Sequence, residues 1–262
     1  MLELVGTCDL VFHLAAAVGV TYILDKPLES ITTNIGGTEL VLRLCCKFKK
    51  KVLLASTSEV YGKHDHAPLE ETDDCVYGPF AKWRWSYAAT KLVDEFMGIA
   101  YQRTKKLPVI IVRFLNTVGP RQTGRYGMVI PRFVTQAIRN ERITVYGDGS
   151  QTRTFTHVND AVSAATKLAE TPEAIGEVVN IGGSEEISIL DLAKLVKRIV
   201  GSTSEIRLVP YEDVFPRDFE DMQRRVPSTL KLEKLTGFKP SKSLLERLGY
   251  IIAFERLGRE GA

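Results

Sequence analysis

The stretch Leu53-Leu-Ala-Ser-Thr-Ser-Glu-Val-Tyr-Gly62 joins a short aliphatic run to a cluster of hydroxyl groups and one carboxylate. A short apolar run of this kind is typical of a strand in a buried parallel sheet. Ligands bind at the carboxyl ends of the strands in such sheets, so Thr57, Ser58 and Glu59 are predicted to face a crevice. The alternative is that the hydroxyl groups only cap the next turn.

Two further aliphatic runs flank this one, at Leu10–Leu14 and Val109–Val112. Between the three runs, apolar residues three and four positions apart predict helices over Leu28–Phe48 and Ser86–Arg103. Strands that alternate with helices indicate βαβ units. The sequence therefore predicts an α/β fold with a Rossmann-like, doubly wound parallel sheet.

The second half of the chain has a different texture. From residue 119 it is rich in Gly, Pro and Arg, which indicates a smaller α/β substrate-binding lobe over residues 119–262. Residues 156–182 are predicted to pack back on the sheet. The elements predicted here are helices Val158–Ala169, Ile189–Val200 and Ser228–Leu235, the last with Ser228 as its N-cap, and strand Val178–Ile181.

Composition and charge exclude several classes of protein. The 262 residues are 44% hydrophobic and 26% charged, which is ordinary for a globular domain. A net charge of +3 gives no electrostatic footprint for a nucleic acid. No apolar run reaches the roughly 18 residues of a membrane span, and no signal peptide is evident. The sequence predicts a soluble, cytoplasmic protein with no nucleic acid or membrane partner.

Metal binding is not predicted either. The four cysteines form no C-x-x-C pair, so neither a zinc site nor a disulfide framework is indicated. His64 and His66 form an H-x-H pair, but no further ligands are near them in the sequence. A solvated loop is the favoured interpretation of this pair.

Tyr87-Ala-Ala-Thr-Lys91 places a phenol and an ammonium group one turn apart on the same helix face. A nearby cation favours the phenolate, so such a tyrosine can act as general base for a substrate hydroxyl. Only Tyr87 follows the hydroxyl-rich strand end and begins a long predicted helix. The spacing alone is not specific, because it recurs at Tyr22 with Lys26 and at Tyr101 with Lys105.

Several segments together carry a resemblance to a known family. They are His13–Ala16, Asn34 with Gly37-Thr38, Ala55–Gly62, Tyr87–Lys91, Arg113–Asn116 with Val118-Gly-Pro120, Tyr146–Gly149, Arg153–Asp160 and Gln223–Pro227. In this order they resemble the extended short-chain dehydrogenase/reductases that act on nucleotide sugars, the NAD-dependent epimerases, dehydratases and decarboxylases. The resemblance covers nearly the whole chain, although each segment alone is only moderately specific.

The resemblance implies oxidation at C4 of a nucleotide sugar, with NAD as hydride acceptor. Thr57 would bind the 4-hydroxyl, Tyr87 would remove its proton, and Lys91 would hold the nicotinamide ribose and lower the Tyr87 pKa. Glu59 is a fourth catalytic candidate. The implied cofactor-binding residues are Leu14, Ala15, Ala16, Asn34 and Ser56 with Tyr87 and Lys91, and the implied substrate-binding residues are Ser58, Arg84, Asn116, Tyr146, Arg153 and Arg225. For Tyr146 a core position is equally plausible, and Arg84 and Arg153 also fit surface or structural roles.

One feature of the family is missing from the sequence. The family begins with a Gly-rich turn whose amides receive the dinucleotide pyrophosphate, and this sequence contains no such turn. At roughly 30 residues per βαβ unit, about two units are expected before Met1. Residues 1–118 are thus predicted to be the remaining part of an N-terminally truncated NAD-binding domain, with one exposed sheet edge. A shortened protein that has lost cofactor binding is the alternative.

The identity of the reaction stays open at this point. The segment Arg121–Gly127 resembles nucleotide-sugar 4-epimerases, so the leading hypothesis is a UDP-hexose or UDP-hexuronate 4-epimerase. Glu59 and Arg84 resemble the pattern of UDP-glucuronate decarboxylases, which gives the close alternative. A noncatalytic fragment that binds a UDP-sugar is the alternative of another class. The resemblance also implies a homodimer formed through helices Leu28–Phe48 and Ser86–Arg103.

Overall fold

The computed structural model describes residues 1–64, 66–122, 128–215 and 220–260, with side chains up to residue 257. The helices are α1 Leu2–Thr7, α2 Val20–Asp25, α3 Pro27–Phe48, α4 Trp85–Lys105, α5 Val129–Ile138, α6 Val158–Glu170, α7 Ile189–Val200, α8 Leu230–Thr236 and α9 Leu244–Glu260. The strands are β1 Leu10–His13, β2 Lys51–Thr57, β3 Val109–Phe114, β4 Thr117–Val118, β5 Ile143–Tyr146, β6 Thr152–Thr154, β7 Thr156–His157, β8 Val178–Ile181, β9 Glu186–Ser188, β10 Ile206–Val209 and β11 Arg224–Arg225.

A parallel sheet in the order β1, β2, β3, β8 forms the centre of the molecule. Alternate strand residues face opposite sides, so that Val52 and Leu54 pack under α3 and α4, whereas Leu53 packs under α6 and α8. Both faces of the sheet are therefore covered by helices. This arrangement confirms the predicted Rossmann-like α/β fold.

Strand β1 lies at one edge of the central sheet, and no other described strand pairs with its outer side. Its apolar residues are incompletely covered: Phe12 is 41% exposed, and Leu14, just beyond the strand, is 59% exposed. An exposed sheet edge of this kind was predicted from the sequence. Its unpaired backbone N–H and C=O groups can pair with a further strand.

The second half of the chain forms short strand pairs and helices beside this sheet. Strand β6 lies between β11 and β9, and β5 pairs with β10. Helices α5, α7 and α9 share a separate apolar core that includes Phe133, Leu192 and Leu248. The chain returns to the central sheet with α6 and with β8, which pairs with β3. The domain boundary at residues 118 and 119 stays a prediction.

The predicted N-cap of the short helix near residue 230 is wrong. Helix α8 begins at Leu230, with Thr229 as its N-cap. Ser228 instead belongs to an extended connection, because its N–H donates to the Leu69 carbonyl at 2.8 Å and its own carbonyl accepts from Asn180. These tertiary hydrogen bonds outweigh the local preference of serine for a cap.

A buried ion pair ties the strands to α4. The Arg113 guanidinium on β3 binds both carboxylate oxygens of Glu95 on α4, with N–O distances of 2.9 and 2.8 Å. The Ser56 hydroxyl at the end of β2 donates to the same carboxylate. On its other side, the guanidinium stacks over Tyr61, whose hydroxyl donates to Asn180 of β8 at 2.8 Å. Polar groups from three strands are therefore locked to one helix.

Replacement of Arg113 by Met should destabilise the chain by about 3 to 5 kcal/mol, because it leaves the Glu95 carboxylate buried without its partner. The free energy of unfolding in urea measures the loss. Arg43→Met is the control, since Arg43 pairs with Glu39 on the exposed face of α3 and should cost less than about 1 kcal/mol. Equal losses in the two variants would contradict the role assigned to the buried pair.

Candidate functional site

The end of β2 and the start of α4 bring two hydroxyl groups together. Thr57 Oγ1 accepts a hydrogen bond from the Glu59 N–H at 3.3 Å and so caps the 3-10 turn Ser58–Tyr61. The Thr57 side chain also lies close enough to Tyr87 to act on its phenol. The same threonine thus caps the turn and neighbours the phenol, and its contact with a ligand stays a prediction.

The Tyr87 phenol is held in its protonated form. Burial raises its pKa, and the negative charge of Glu59 raises it further, whereas the hydrogen bond from Thr57 acts in the opposite direction. That Lys91 lowers this pKa stays a prediction. Lys91 Nζ lies 2.8 Å from Asp94 Oδ2, so the carboxylate offsets part of the charge with which the ammonium group acts on its surroundings.

Three buried arginines surround two carboxylates beside this pair. Arg84 Nη2 lies 3.7 Å from Glu59 Oε1 and 3.2 Å from Asp221 Oδ1. Arg153 Nη2 lies 3.0 Å from the same oxygen of Asp221. Arg225 Nη2 lies 3.5 Å from Glu59 Oε1. The cluster carries one positive charge more than its carboxylates balance, so it favours an anionic ligand.

The charges of the cluster act strongly on one another. Burial alone would raise the pKa of Asp221, but the neighbouring arginines hold it below its ordinary value of 3.8. Burial lowers the pKa of Arg225 to about 10, against the attraction of Glu59. Arg225 is thus still a cation at neutral pH. An added negative charge would stabilise its protonated form further.

A cavity of about 360 Å³ opens onto this cluster. Its wall carries the arginines and carboxylates, together with Asn116 and Gln151. Apolar and aromatic residues, Tyr146, Phe215 and Met128 among them, line the same cavity. A ligand with anionic groups and a flat ring would match both kinds of lining.

Most predicted substrate-binding residues meet in this cavity. The structure places six predicted site residues in the wall: Glu59, Arg84, Asn116, Tyr146, Arg153 and Arg225. Ser58 is only 1% exposed and its side chain is not part of the wall. Tyr87 is not among the wall residues, but the charges of Glu59 and Arg225 act on its phenol.

The predicted cofactor-binding residues divide into two groups. Leu14 and Ala15 are exposed and Ala16 is half-buried, so the carboxyl end of β1 is open to a ligand. Asn34 and Ser56 are committed to the protein itself. The Asn34 amide pairs with both backbone groups of Ala17, and the Ser56 hydroxyl donates to Glu95. A direct contact of these two side chains with a cofactor would require other rotamers.

The resemblance puts the nicotinamide half of NAD at this open strand end, and that placement stays a prediction. Burial and the charge of Lys91 both lower the pKa of His13, which places Lys91 close to this end of β1. Tyr87 and Lys91 are the polar groups that would hold the nicotinamide ribose there. A Gly-rich turn for the pyrophosphate is not part of the 262 residues.

Sequence analysis missed several residues of the cavity. Arg132 stacks 3.7 Å from the centre of the Tyr146 ring, and Tyr211 donates to Asp221 at 3.2 Å. Asp221 itself had a faint signal, as an acidic residue four positions before Arg225. Its importance depends on Arg84 and Arg153, which are distant in the sequence. The epimerase-like segment 121–127 lies outside the described residues from position 123 onward.

Neither a metal centre nor a membrane span is evident in the described part of the chain. No three His, Cys, Asp or Glu side chains come together there as metal ligands. His64 and His66 instead hydrogen-bond to the Asp74 carbonyl and the Asp73 carboxylate. None of the described helices is both long enough and apolar enough to cross a bilayer.

Comparisons with known proteins point to one family. A sequence profile of the NAD dependent epimerase/dehydratase family matches residues 1–182. A UDP-N-acetyl-alpha-D-glucosaminuronate decarboxylase of Bacillus cytotoxicus is 46% identical over 244 residues, which cover 93% of this chain and 75% of that protein. UDP-glucuronic acid decarboxylase 1 of Danio rerio is 35% identical over 246 residues, which cover 94% of this chain. The chain spans only 57% of the length of the Danio rerio protein.

A solved structure supports the same relationship. The UDP-glucuronic acid 4-epimerase of Bacillus cereus, in complex with UDP-glucuronic acid and NAD, superposes with a TM-score of 0.87 at 29% identity. The superposition covers 98% of this chain and 78% of the epimerase.

Replacement of Asp221 by Asn should lower stability most above about pH 5, because the native pKa of this carboxyl is depressed. Its contribution is present above the unfolded-state pKa and is lost as pH falls through the native one. The difference in unfolding free energy between wild type and variant should therefore shrink in acid. Urea titrations between pH 7 and pH 3 test this, with the exposed Asp213→Asn as control. A difference that is the same at every pH would contradict the depressed pKa.

Proposed function

Because the chain belongs to the NAD-dependent epimerase/dehydratase family, we propose that it decarboxylates a UDP-hexuronate by way of a 4-keto sugar. Two curated relatives named as decarboxylases support this choice. The decarboxylase alternative is thereby better supported than the 4-epimerase hypothesis. The acetamido group in the name of the Bacillus cytotoxicus protein favours a 2-acetamido hexuronate as substrate.

The observation that carries the proposal is the position of Glu59. This carboxylate lies in the cavity wall, held by Arg84 and Arg225, and its charge acts on the Tyr87 phenol. A substrate carboxylate in the same cavity would lie next to Glu59, whose negative charge Arg84 and Arg225 already offset. The surplus positive charge of the cluster would attract the substrate carboxylate.

The proposed chemistry begins at the hydroxyl groups of Thr57 and Tyr87. Thr57 orients the 4-hydroxyl of the sugar and Tyr87 accepts its proton. Deprotonation of Tyr87 is unfavourable in the empty site, since its pKa is raised. The cation of a bound cofactor would lower the cost. The nicotinamide ring of NAD would supply the hydride acceptor for C4.

The 4-keto hexuronate is a β-keto acid, which loses carbon dioxide readily. The C5–C6 bond breaks, its electron pair moves to C5 and delocalises onto the C4 oxygen, and carbon dioxide leaves. Tyr87, now protonated, and Thr57 can donate hydrogen bonds to the developing enolate. A proton then adds to C5. Reduction of C4 by a bound cofactor, with Tyr87 returning its proton to the C4 oxygen, would give the UDP-pentose.

The diphosphate of the substrate would lie at the arginine cluster. Arg153 and Arg225 are side by side in the parallel pair β6 and β11, so their guanidinium groups face the same ligand. Each already has a carboxylate partner, Asp221 or Glu59, which limits their mutual repulsion while the site is empty. Two phosphate charges would compete for these cations.

The second candidate, 4-epimerisation, is favoured by one observation. The superposed Bacillus cereus structure is a 4-epimerase for a substrate that also carries a carboxylate. A retained carboxylate and an inverted C4 would be its products. The two reactions therefore differ in a single measurable outcome, the release of carbon dioxide.

Incubation with NAD and UDP-hexuronate labelled with carbon-13 at C6, with and without a 2-acetamido group, should release labelled carbon dioxide. Tyr87→Phe should reduce the rate by at least about 10²-fold, the range of a lost general base, with little change in UDP affinity. Tyr101→Phe, on the same helix, is the control and should retain the rate. A labelled epimer without carbon dioxide would support the epimerase instead, and undiminished turnover in Tyr87→Phe would exclude the role of that residue.

A homodimer in a reducing, cytoplasmic compartment completes the proposal. Phe96 and Val93 on α4 are 68% and 40% exposed, and Leu28 on α3 is 73% exposed. Such apolar side chains on two adjacent helices fit a self-associating surface. Free cysteines in the described structure agree with a reducing environment.

A further inference from the structure

A buried ion pair lies one turn along α4 from Tyr87. Lys91 Nζ is 2.8 Å from Asp94 Oδ2, and the two side chains are only 4% and 2% exposed. Removal of two charges from water costs several kcal/mol per ion, so each charge of a buried pair needs the other. Asp94 therefore fixes the position of the Lys91 ammonium.

The pair is surrounded by groups from each neighbouring element. On α3, the Thr38 side chain acts on Asp94, and its hydroxyl lies 3.2 Å from His13 Nε2. Burial raises the pKa of Asp94 and the Lys91 charge opposes that rise. In the described part of the chain, further charged or titratable groups that act on Tyr87 or the pair are His13 on β1, Glu59 after β2, Glu95 on α4 and Arg225 on β11.

A lysine four residues after a tyrosine lowers the pKa of the phenol through its positive charge. A carboxylate that pairs with the lysine reduces this effect. A carboxylate in contact with the ammonium turns a point charge into a dipole, whose field falls off faster with distance. The charge of Asp94 itself acts on Tyr87 and raises the pKa of the phenol, after burial and Glu59. Asp94 thus opposes Lys91 at the same target.

We propose that Asp94 is a positioning residue, which holds the Lys91 ammonium and sets how much of its charge acts on the Tyr87 phenol. Asp94 touches neither substrate nor cofactor in this role. The proposal rests on the proposed function only for the role of Tyr87 as general base. The effect of the two charges on the Tyr87 pKa does not require a ligand. No sequence motif marks Asp94, which is one of two adjacent acidic residues on α4.

Three variants separate the two charges. Asp94→Asn leaves the Lys91 charge without its carboxylate partner. The titration midpoint of Tyr87 should therefore fall by about one pH unit or more. Lys91→Met leaves Asp94 and should raise the midpoint. The double variant removes both charges and should titrate close to wild type. Because a buried pair replaced by neutral groups is usually tolerated, the double variant is expected to fold.

The midpoint can be measured without substrate or cofactor. Incorporation of 3,5-difluorotyrosine makes the phenols more acidic and brings their titration into a range where the chain stays folded. Fluorine NMR follows the nine tyrosines, and Tyr87→Phe identifies the signal of interest. Asp160→Asn is the control, since it removes another buried carboxylate, on α6, that is not among the groups acting on Tyr87. It should leave the Tyr87 midpoint unchanged.

Opposite shifts in the two single variants, with return to the wild-type midpoint in the double variant, are the expected result. If Asp94→Asn does not fold, a difference of about one pH unit between Lys91→Met and the double variant carries the same test. A Tyr87 midpoint that is the same in all folded variants would overturn the proposal. That failure would leave the proposed decarboxylation untouched, whereas full activity of Tyr87→Phe would refute the proposed role of Tyr87 and leave the titration intact.

Discussion

The candidate site depends on burying three guanidinium groups within reach of two carboxylates. Isolated, any one of these charges would be too costly to keep away from water. Asp221 joins Arg84 to Arg153, and Glu59 joins Arg84 to Arg225, so that the cluster holds together as a single network. The elements that carry these residues are far apart in the sequence. The fold brings them together, and the ion pairs offset the cost of burying their charges.

The same network connects binding to chemistry. Glu59 is both a partner of the arginines and the carboxylate whose charge acts most strongly on Tyr87. An anion bound to Arg225 would weaken the hold of that arginine on Glu59. A change in binding at the arginine cluster would thus reach the phenol through one side chain. Under the proposed function, substrate recognition and proton transfer would share this residue.

Much of the fold followed from local patterns in the sequence. The aliphatic runs became β1, β2 and β3 because buried parallel strands need continuous apolar residues, and helices α3 and α4 followed from the spacing of residues such as Leu40 and Leu44. Five of the six predicted residues of the cavity wall came from the resemblance, since no local pattern marks residues such as Asn116 or Arg153. Glu59 was predicted from its place at the end of a buried strand. Ser228 was assigned wrongly because its partners, Leu69 and Asn180, are distant in sequence.

The acidic partners were the hardest to predict. Lys91 was expected to act on Tyr87, but its ammonium group forms an ion pair with Asp94, on the next turn of the same helix. The role of Asp221 could not be predicted from the sequence, because it depends on the pairing of β6 with β11, which brings Arg153 beside Arg225. Spacing along a helix shows which groups can come into contact. The pKa of each group, however, depends on all the charged and polar neighbours that surround it in space.

The position of a bound nucleotide tests the account most directly. A crystal structure of the chain with UDP should place the diphosphate within hydrogen-bond distance of Arg153 and Arg225, with the uracil in the same cavity near Tyr146. Electron density for UDP elsewhere on the molecule, with the arginine cluster unchanged, would contradict the assignment of this cavity as the nucleotide-sugar site.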